Sequence, residues 1–281
     1  MMNNNKITMA HLEVFRSTLV EDEKSPATVA KYLRDVKEFL VYAEGVEVTK
    51  ETVIRYKQHL IEKYAPTSVN SMLAALNRFF KEIGRYDCVV KTLKIQRQTF
   101  RNKEQELTKV EYYRLLEAAR KKNDTQLYML MQTICATGIR VSELRFITVE
   151  ALQQGRATVS LKGKMRQVLI PNALTGELKR YAEEQGTRTG SLFVTCRGKP
   201  LDRSNILHRM KALSNLAGVG REKVYPHNLR HLFACSYYKV EKDLSRLADL
   251  LGHSSLNTTR IYTSLSGDEQ QRQIDCLGLV L

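Results

Sequence analysis

HNLRHLFA (227–234) and LADLLGHSSLNTTRIYT (247–263) form the stretch around which the chain reads. Two histidines, an arginine and a tyrosine stand at fixed offsets among apolar residues. His227 and Arg230 are three apart, so a helix puts them on one face, and Pro226 stands at a first-turn position. Such a helix aims its N-terminus, an imidazole and a guanidinium at one spot, which suits an anion. Tyr262 follows His253 by nine residues, beyond a break at Gly252. Alone, the stretch predicts a phosphate site with a tyrosine beside it.

Upstream, Thr108 and Glu111 form a capping box that opens a helix to about Lys121. Asp124 caps another, TQLYMLMQTICATG, which Gly138 ends. Arg140 follows at once, opening a short helix IRVSELRFI. RATVSLKGKMRQVLIP (156–171) alternates in polarity and predicts a hairpin turning at Lys162-Gly163-Lys164-Met165. Helices follow near 173–185 and 203–217 around a short strand at 191–195, and 227–262 adds three more.

The first 90 residues read differently. Helical spacing appears at about 9–20, and Ser25-Pro26, Thr49 and Pro66-Thr67 each start a further helix. Four amphipathic helices with short connections make a small all-α domain. Residues 91–103, KTLKIQRQTFRNK, carry Lys91, Lys94, Arg97, Arg101 and Lys103 with no acidic residue. A solvated connector normally mixes signs, so this one suits a phosphate backbone. The expected division is a helical domain over 1–90, a basic linker over 91–106 and a second domain over 107–281. The last of these ends in a tail, 268–281, polar at its start and apolar at its end.

Composition narrows the class. The chain has 281 residues, 43% hydrophobic and 27% charged, which is globular. Its net charge of +15 points to a polyanion, nucleic acid before membrane, and most of the excess falls after residue 106. No window approaches the roughly 18 apolar residues of a membrane span, and no signal-peptide pattern opens the chain. Cys88, Cys135, Cys196, Cys235 and Cys276 are scattered, with no CxxC pair, and read mostly as buried thiols of a reducing cytosol. No metal-ligand cluster appears.

Five strings in order now matter together: ATGIRVSEL (136–144), KGK (162–164), HNLRH (227–231), LGHSS (251–255) and TTRIY (258–262). With them the chain resembles a tyrosine recombinase of the phage integrase family, over its whole length. The fold this implies is mostly α with a small antiparallel sheet: a SAM-like four-helix core-binding domain, then an α+β catalytic domain. Arg140 and Arg230 match the arginines that bind non-bridging phosphate oxygens. Tyr262 matches the nucleophile. A phenol of pKa about 10 needs a proton acceptor, and His227 fills that role. His253 matches a donor of a hydrogen bond to the scissile phosphate. Lys164, 24 residues after Arg140 and directly after Gly163, matches the general acid toward the leaving 5′-oxygen, with Lys162 as the alternative. Glu143 matches a supporting acidic position.

The resemblance implies cleavage through a 3′-phosphotyrosyl link, without metal or other cofactor. Its partners are double-stranded DNA with specific recombination sites, three further copies of the chain in a synaptic tetramer, and accessory DNA-bending or directionality proteins. The protein is expected to be a monomer when free, and cytoplasmic at the nucleoid. Two domains on a basic connector suit a clamp on duplex DNA, and in the family the tail often packs into a neighbouring protomer. Asn70, Asn77 and Arg78 on one helix, Arg203, Asn205 and Arg209 on another, and Lys162 are the expected DNA contacts. The compact N-terminus leans toward simple core sites; the expected purpose is integration or excision of a mobile element, with dimer resolution or a topoisomerase-like relaxation as alternatives. A non-enzymatic regulator fits poorly with an intact set, and a metal-dependent nuclease lacks its carboxylates. His11, His59 and His208 read as structural. His231 falls about 100° around the helix from Arg230 and stays outside the set.

Overall fold

The computed structural model describes residues 7, 9–95, 103–161, 164–262, 271–272 and 275–277, with side chains at 9, 103, 161 and 164 outside that description. The chain divides into two compact units, Met1–Arg97 and Gln98–Leu281. Among the described residues, no helix is long and apolar enough to cross a membrane.

The first unit is four helices: α1 (Met9–Glu21), α2 (Pro26–Tyr42), α3 (Lys50–Lys63) and α4 (Pro66–Glu82). Ser25 and Thr49 cap α2 and α3 through their hydroxyls, and Pro26 and Pro66 occupy first turns where no amide hydrogen is needed. The apolar faces close on Phe15, Phe39, Tyr56, Phe79 and Phe80, whose rings meet mostly edge to face. The chain after α4 is strapped to it. Asn77 donates to Val90 O at 2.8 Å and accepts from Val90 N at 3.0 Å. Asn70 does the same to Leu93, at 2.9 and 2.7 Å.

The second unit opens with α5 (Lys109–Lys121), which carries the Thr108–Glu111 capping box in both directions. In α6 (Thr125–Thr137), Asp124 caps the start and Gly138, at φ +64°, ends the helix in the left-handed region. A Cβ at Gly138 would sit 2.4 Å from the Phe233 ring, so space and backbone both require glycine. Residues Val141–Phe146, where a short helix was expected, form a 3-10 turn. Next come α7 (Val149–Gln154) and the two-stranded antiparallel sheet, β1 (Arg156–Leu161) with β2 (Lys164–Leu169). Leu161 pairs directly with Lys164, so Lys164 and Met165 belong to the strand and not to the turn. Then come α8 (Asn172–Glu184), α9 (Arg203–Lys211) and α10 (Ser214–Ala217), the last two splitting the single helix expected over 203–217. The strand expected at 191–195 reduces to isolated bridges, Thr148 with Ser191 and Val194 with Pro200, because among the described residues no strand runs beside it.

The opening stretch supplies α11 (Pro226–Glu241), α12 (Leu244–Leu251) and α13 (Leu256–Thr259), followed by a 3-10 turn Arg260–Tyr262. The packing of α11 along α6 brings the turn after Gly138 to the first half of α11. Cys88 and Cys235 are buried and Cys135 half-buried, but Cys196 and Cys276 are exposed. Most of the tail over 268–281 lies outside the described residues.

Candidate active site

Four elements converge: the turn after α6, strand β2, the first half of α11, and the segment from the end of α12 through Tyr262. Arg230 is the side chain they share. It is 2% exposed, large and charged, so its donors must be satisfied internally. It donates through Nη1 to Gly138 O and through Nη2 to Leu251 O at 2.7 Å. These are backbone carbonyls where α6 and α12 end, and the negative ends of helix dipoles favour a cation there. Nη2 also lies 3.1 Å from His253 Nε2. Burial and the neighbouring charge of Arg140 bring the Arg230 guanidinium down to about 10, still protonated at neutral pH.

Arg140 heads the 3-10 turn. Its backbone N–H donates to Glu143 Oε2 at 2.9 Å, its Nη1 to Glu143 Oε1 at 2.9 Å, and its Nη2 to Gly252 O at 3.1 Å. At 39% exposed, the side chain keeps donors turned to solvent. Glu143 is 2% exposed and also takes Arg166 Nη2 at 2.5 Å. Burial pushes its carboxyl up, but the Arg140 backbone N–H and the Arg166 charge outweigh this and hold it below the usual carboxylate range.

Arg140, His227 and Arg230 line one cavity of about 430 Å³ together with Arg203, Lys211 and Tyr225. His227 sits at its exposed rim. Desolvation and the guanidiniums of Arg230, Arg203 and Arg140 push its imidazole below the ordinary value, so it is neutral at pH 7. A cavity with this many cationic groups fits an anion with several oxygens.

Tyr262 is 3% exposed, packed with Ala234, Cys235, Leu247 and Leu251. Its ring stacks on His253 at 6.2 Å and 15°, and meets His231 edge-on at 5.1 Å. Burial raises the phenol above its ordinary value, while the charge and hydrogen bond of Arg230 pull it back. His253 is pushed down to about 4 by burial and by Arg230, Arg140 and Arg166, so it too is neutral.

Of the expected site residues, the structure brings together Arg140, Glu143, His227, Arg230, His253 and Tyr262. The Lys164 side chain and all of Lys162 lie outside the described residues, as do Arg97, Arg101 and the Lys103 side chain. Lys91 and Lys94 are exposed, as is Asn205, while Arg203 reaches the cavity. Four of the expected DNA contacts have partners within the chain. Both amide ends of Asn70 and Asn77 are taken by the backbone of 90–93. Arg209 is taken by Asp124 and Gln126. Arg78 pairs with Asp22 at 3.0 Å and Glu82 at 3.4 Å.

Three neighbours escaped the sequence. Arg166 joins Glu143 to Leu250 O, the latter at 2.6 Å. Its signal was legible: Arg166 alternates with Val168 and Ile170, a charge on the core-facing side of a strand. Thr259 accepts or donates at 2.9 Å from His253 Nδ1. Tyr262 arrives from another element to meet the His231 ring.

The family model described as "Phage integrase family" matches residues 105–269, and "Phage integrase, N-terminal SAM-like domain" matches 12–85. Tyrosine recombinase XerA of Thermococcus kodakarensis is 30% identical over 91% of this chain and 90% of its own length. Tyrosine recombinase XerD of Vibrio cholerae is 29% identical over 85% of this chain and 86% of its own. A crystal structure of XerA recombinase is 27% identical, covering 98% of this chain and all of its own (100%) at a TM-score of 0.53. A lambda integrase tetramer bound to a Holliday junction shares the fold at a TM-score of 0.75, with 19% identity over 92% of this chain and 78% of its own. The chain belongs to the phage integrase family and is a tyrosine site-specific recombinase.

Proposed function

We propose that Tyr262 cuts DNA at specific duplex sites by forming a 3′-phosphotyrosyl link, and that the reverse attack rejoins the strand to a new partner. The observation that carries the reading is the convergence on Arg230: it shares one cavity with Arg140 and His227, and it hydrogen-bonds the His253 on which Tyr262 stacks.

A scissile phosphate in that cavity takes the free donors of Arg140 and those of Arg230 on its non-bridging oxygens, where charge grows in the transition state. The Tyr262 oxygen attacks phosphorus and its proton passes to His227, which is neutral and so able to accept it. The 5′-oxygen leaves with a proton from Lys164, or from Lys162 in the same hairpin. The bond energy stays in the phosphotyrosyl ester, so a 5′-hydroxyl from another strand can reverse the step. Glu143 holds Arg140 in place without reacting. Two such rounds in a tetramer exchange two pairs of strands. Lys91, Lys94, Arg97, Arg101 and Lys103 are assigned to the DNA backbone. The protein acts on DNA in the cytoplasm, at the nucleoid, with accessory DNA-bending or directionality proteins as further partners.

Integration or excision of a mobile element is the primary reading of purpose. Resolution of dimers is a second, favoured by a relative named TnP I resolvase, from Bacillus thuringiensis, at 25% identity over 89% of this chain and 93% of its own length. A nicked suicide duplex drawn from the flanks of the protein's own gene tests the chemistry. The wild type should give a denaturant-resistant protein–DNA adduct with chelator present, and Tyr262→Phe none; an adduct from Tyr262→Phe refutes the nucleophile. A two-site plasmid then separates the purposes. Exchange confined to direct repeats on one molecule supports resolution, and joining of separate molecules supports integration.

A further inference from the structure

We infer that Thr259 is a positioning residue that holds His253 in the tautomer carrying its proton on Nδ1, leaving Nε2 to face the phosphate site. The inference deepens the proposed function and rests on its placement of His253 beside the reacting phosphate.

The tautomer follows from the donors. Arg230 Nη2 lies 3.1 Å from His253 Nε2. A guanidinium has donors only, so Nε2 must supply the lone pair. A neutral imidazole has one proton left to place, and it then sits on Nδ1. Thr259 Oγ1 is 2.9 Å from Nδ1 and accepts it. Thr259 is 0% exposed, so bulk water does not replace its hydroxyl. The groups facing His253 keep the ring neutral: Arg230 and His227 from α11, Arg140 from the turn after α6, and Arg166 from β2.

The stack on Tyr262 fixes the plane of the ring but not rotation within it. The Thr259 hydroxyl fixes that rotation. Thr259 is three residues before Tyr262, at the end of α13 and the start of the same turn. Orientation of the imidazole is therefore tied to the segment that carries the nucleophile. A phosphate oxygen entering beside Arg230 meets Nε2. The ring donates there only by taking a proton on Nε2, becoming an imidazolium bonded to Thr259 through one nitrogen and to phosphate through the other.

The test uses full-length protein with 15N-labelled histidine, long-range 1H–15N correlation, and cleavage of the suicide duplex. His253 is identified by its absence in His253→Gln. The wild type and Thr259→Ser should show protonated Nδ1. Thr259→Val keeps the Arg230 contact but removes the acceptor, so the Nδ1 signature should weaken toward a mixture of tautomers and the adduct should form about tenfold more slowly, the scale of one lost hydrogen bond; Thr259→Ala serves if valine does not fold. In the His253→Gln background the Thr259 change should add nothing, since no ring remains to orient. A wild-type ring protonated on Nε2, an unchanged signature in both Thr259→Val and Thr259→Ala, or equal slowing in the His253→Gln background overturns the inference. If His253→Gln cleaves like the wild type, the role given to His253 falls, while the spectra still decide the role given to Thr259.

Discussion

Arg166 and Glu143 form an ion pair, Nη2 to Oε2 at 2.5 Å, with side chains 13% and 3% exposed. The pair ties strand β2 to the turn that carries Arg140. Removing one partner of such a pair leaves a buried charge with half its compensation. Arg166→Met should therefore destabilise the protein by about 3–5 kcal/mol. Adduct formation should also fall, because Glu143 no longer holds Arg140 from a fixed position. Urea denaturation and suicide-substrate trapping check both, and unchanged stability would contradict the pair's structural role.

Arg140 and Arg230 should separate in stability although both are assigned to phosphate. Arg230 is buried and donates to the carbonyls that end two helices, so Arg230→Ala should cost roughly 2–5 kcal/mol. Arg140 is partly solvated and leaves Glu143 still paired with Arg166, so Arg140→Ala should cost about 1 kcal/mol. Both should abolish the adduct. Equal destabilisation would mean that the two guanidiniums are built in alike.

Gly252 stands at φ +62°, and a Cβ there would lie 2.4 Å from Arg166 Cδ. Gly252→Ala should combine left-handed strain of about 1–2 kcal/mol with displacement of Arg166. Thermal unfolding should fall, and Arg166→Met should remove part of the added cost. Full additivity of the two changes would show that they do not meet.

The His253 imidazole, held down to about 4, gives a pH signature with a definite sign. A folded-state value below the ordinary 6.5 means that folding favours the neutral ring. That contribution is complete above about pH 6.5 and is lost as pH falls toward 4. Melting curves between pH 7 and pH 4 should drop more steeply for the wild type than for His253→Gln, whose amide oxygen can still accept from Arg230. Parallel curves would refute the assignment.

Asn70 and Asn77 each hold both the N–H and the C=O of one residue after α4. Asn77→Ala should lower stability by about 1–3 kcal/mol and leave the preferred DNA sequence unchanged in a selection from random duplexes. A relaxed preference at one base with no loss of stability would restore the base-reading role.

What the sequence disclosed and what it hid divide along physical lines. Caps are local, so Thr108 with Glu111, Asp124 and Gly138 were readable one turn at a time. The set Arg140, His227, Arg230, His253 and Tyr262 was readable because each residue sits in a short string, and the strings follow one another in a fixed order. Lone strands depend on neighbours that sequence does not name, so 191–195 was overread. The asparagines of α4 looked solvated because polar side chains facing a returning backbone have the same spacing as those facing water. Thr259 and His231 matter only where separate elements meet, and no local pattern marks such a meeting.

Leu250, Leu251, Gly252 and Gly138 each offer the site a carbonyl oxygen: Arg166 takes the first, Arg230 the second and fourth, and Arg140 the third. Three guanidiniums are thus aimed by main chain as well as by the side chains of Glu143 and His253. Exchanging the leucines for other apolar residues leaves the acceptors where they are. Mutational drift at these positions can alter packing without disarming the site, whereas a change in chain path would misaim every arginine at once. The tolerance and the fragility have the same origin: at the leucines the instruction lies in a carbonyl that any residue supplies, and at Gly138 and Gly252 it lies in a chain path that glycine alone follows without strain.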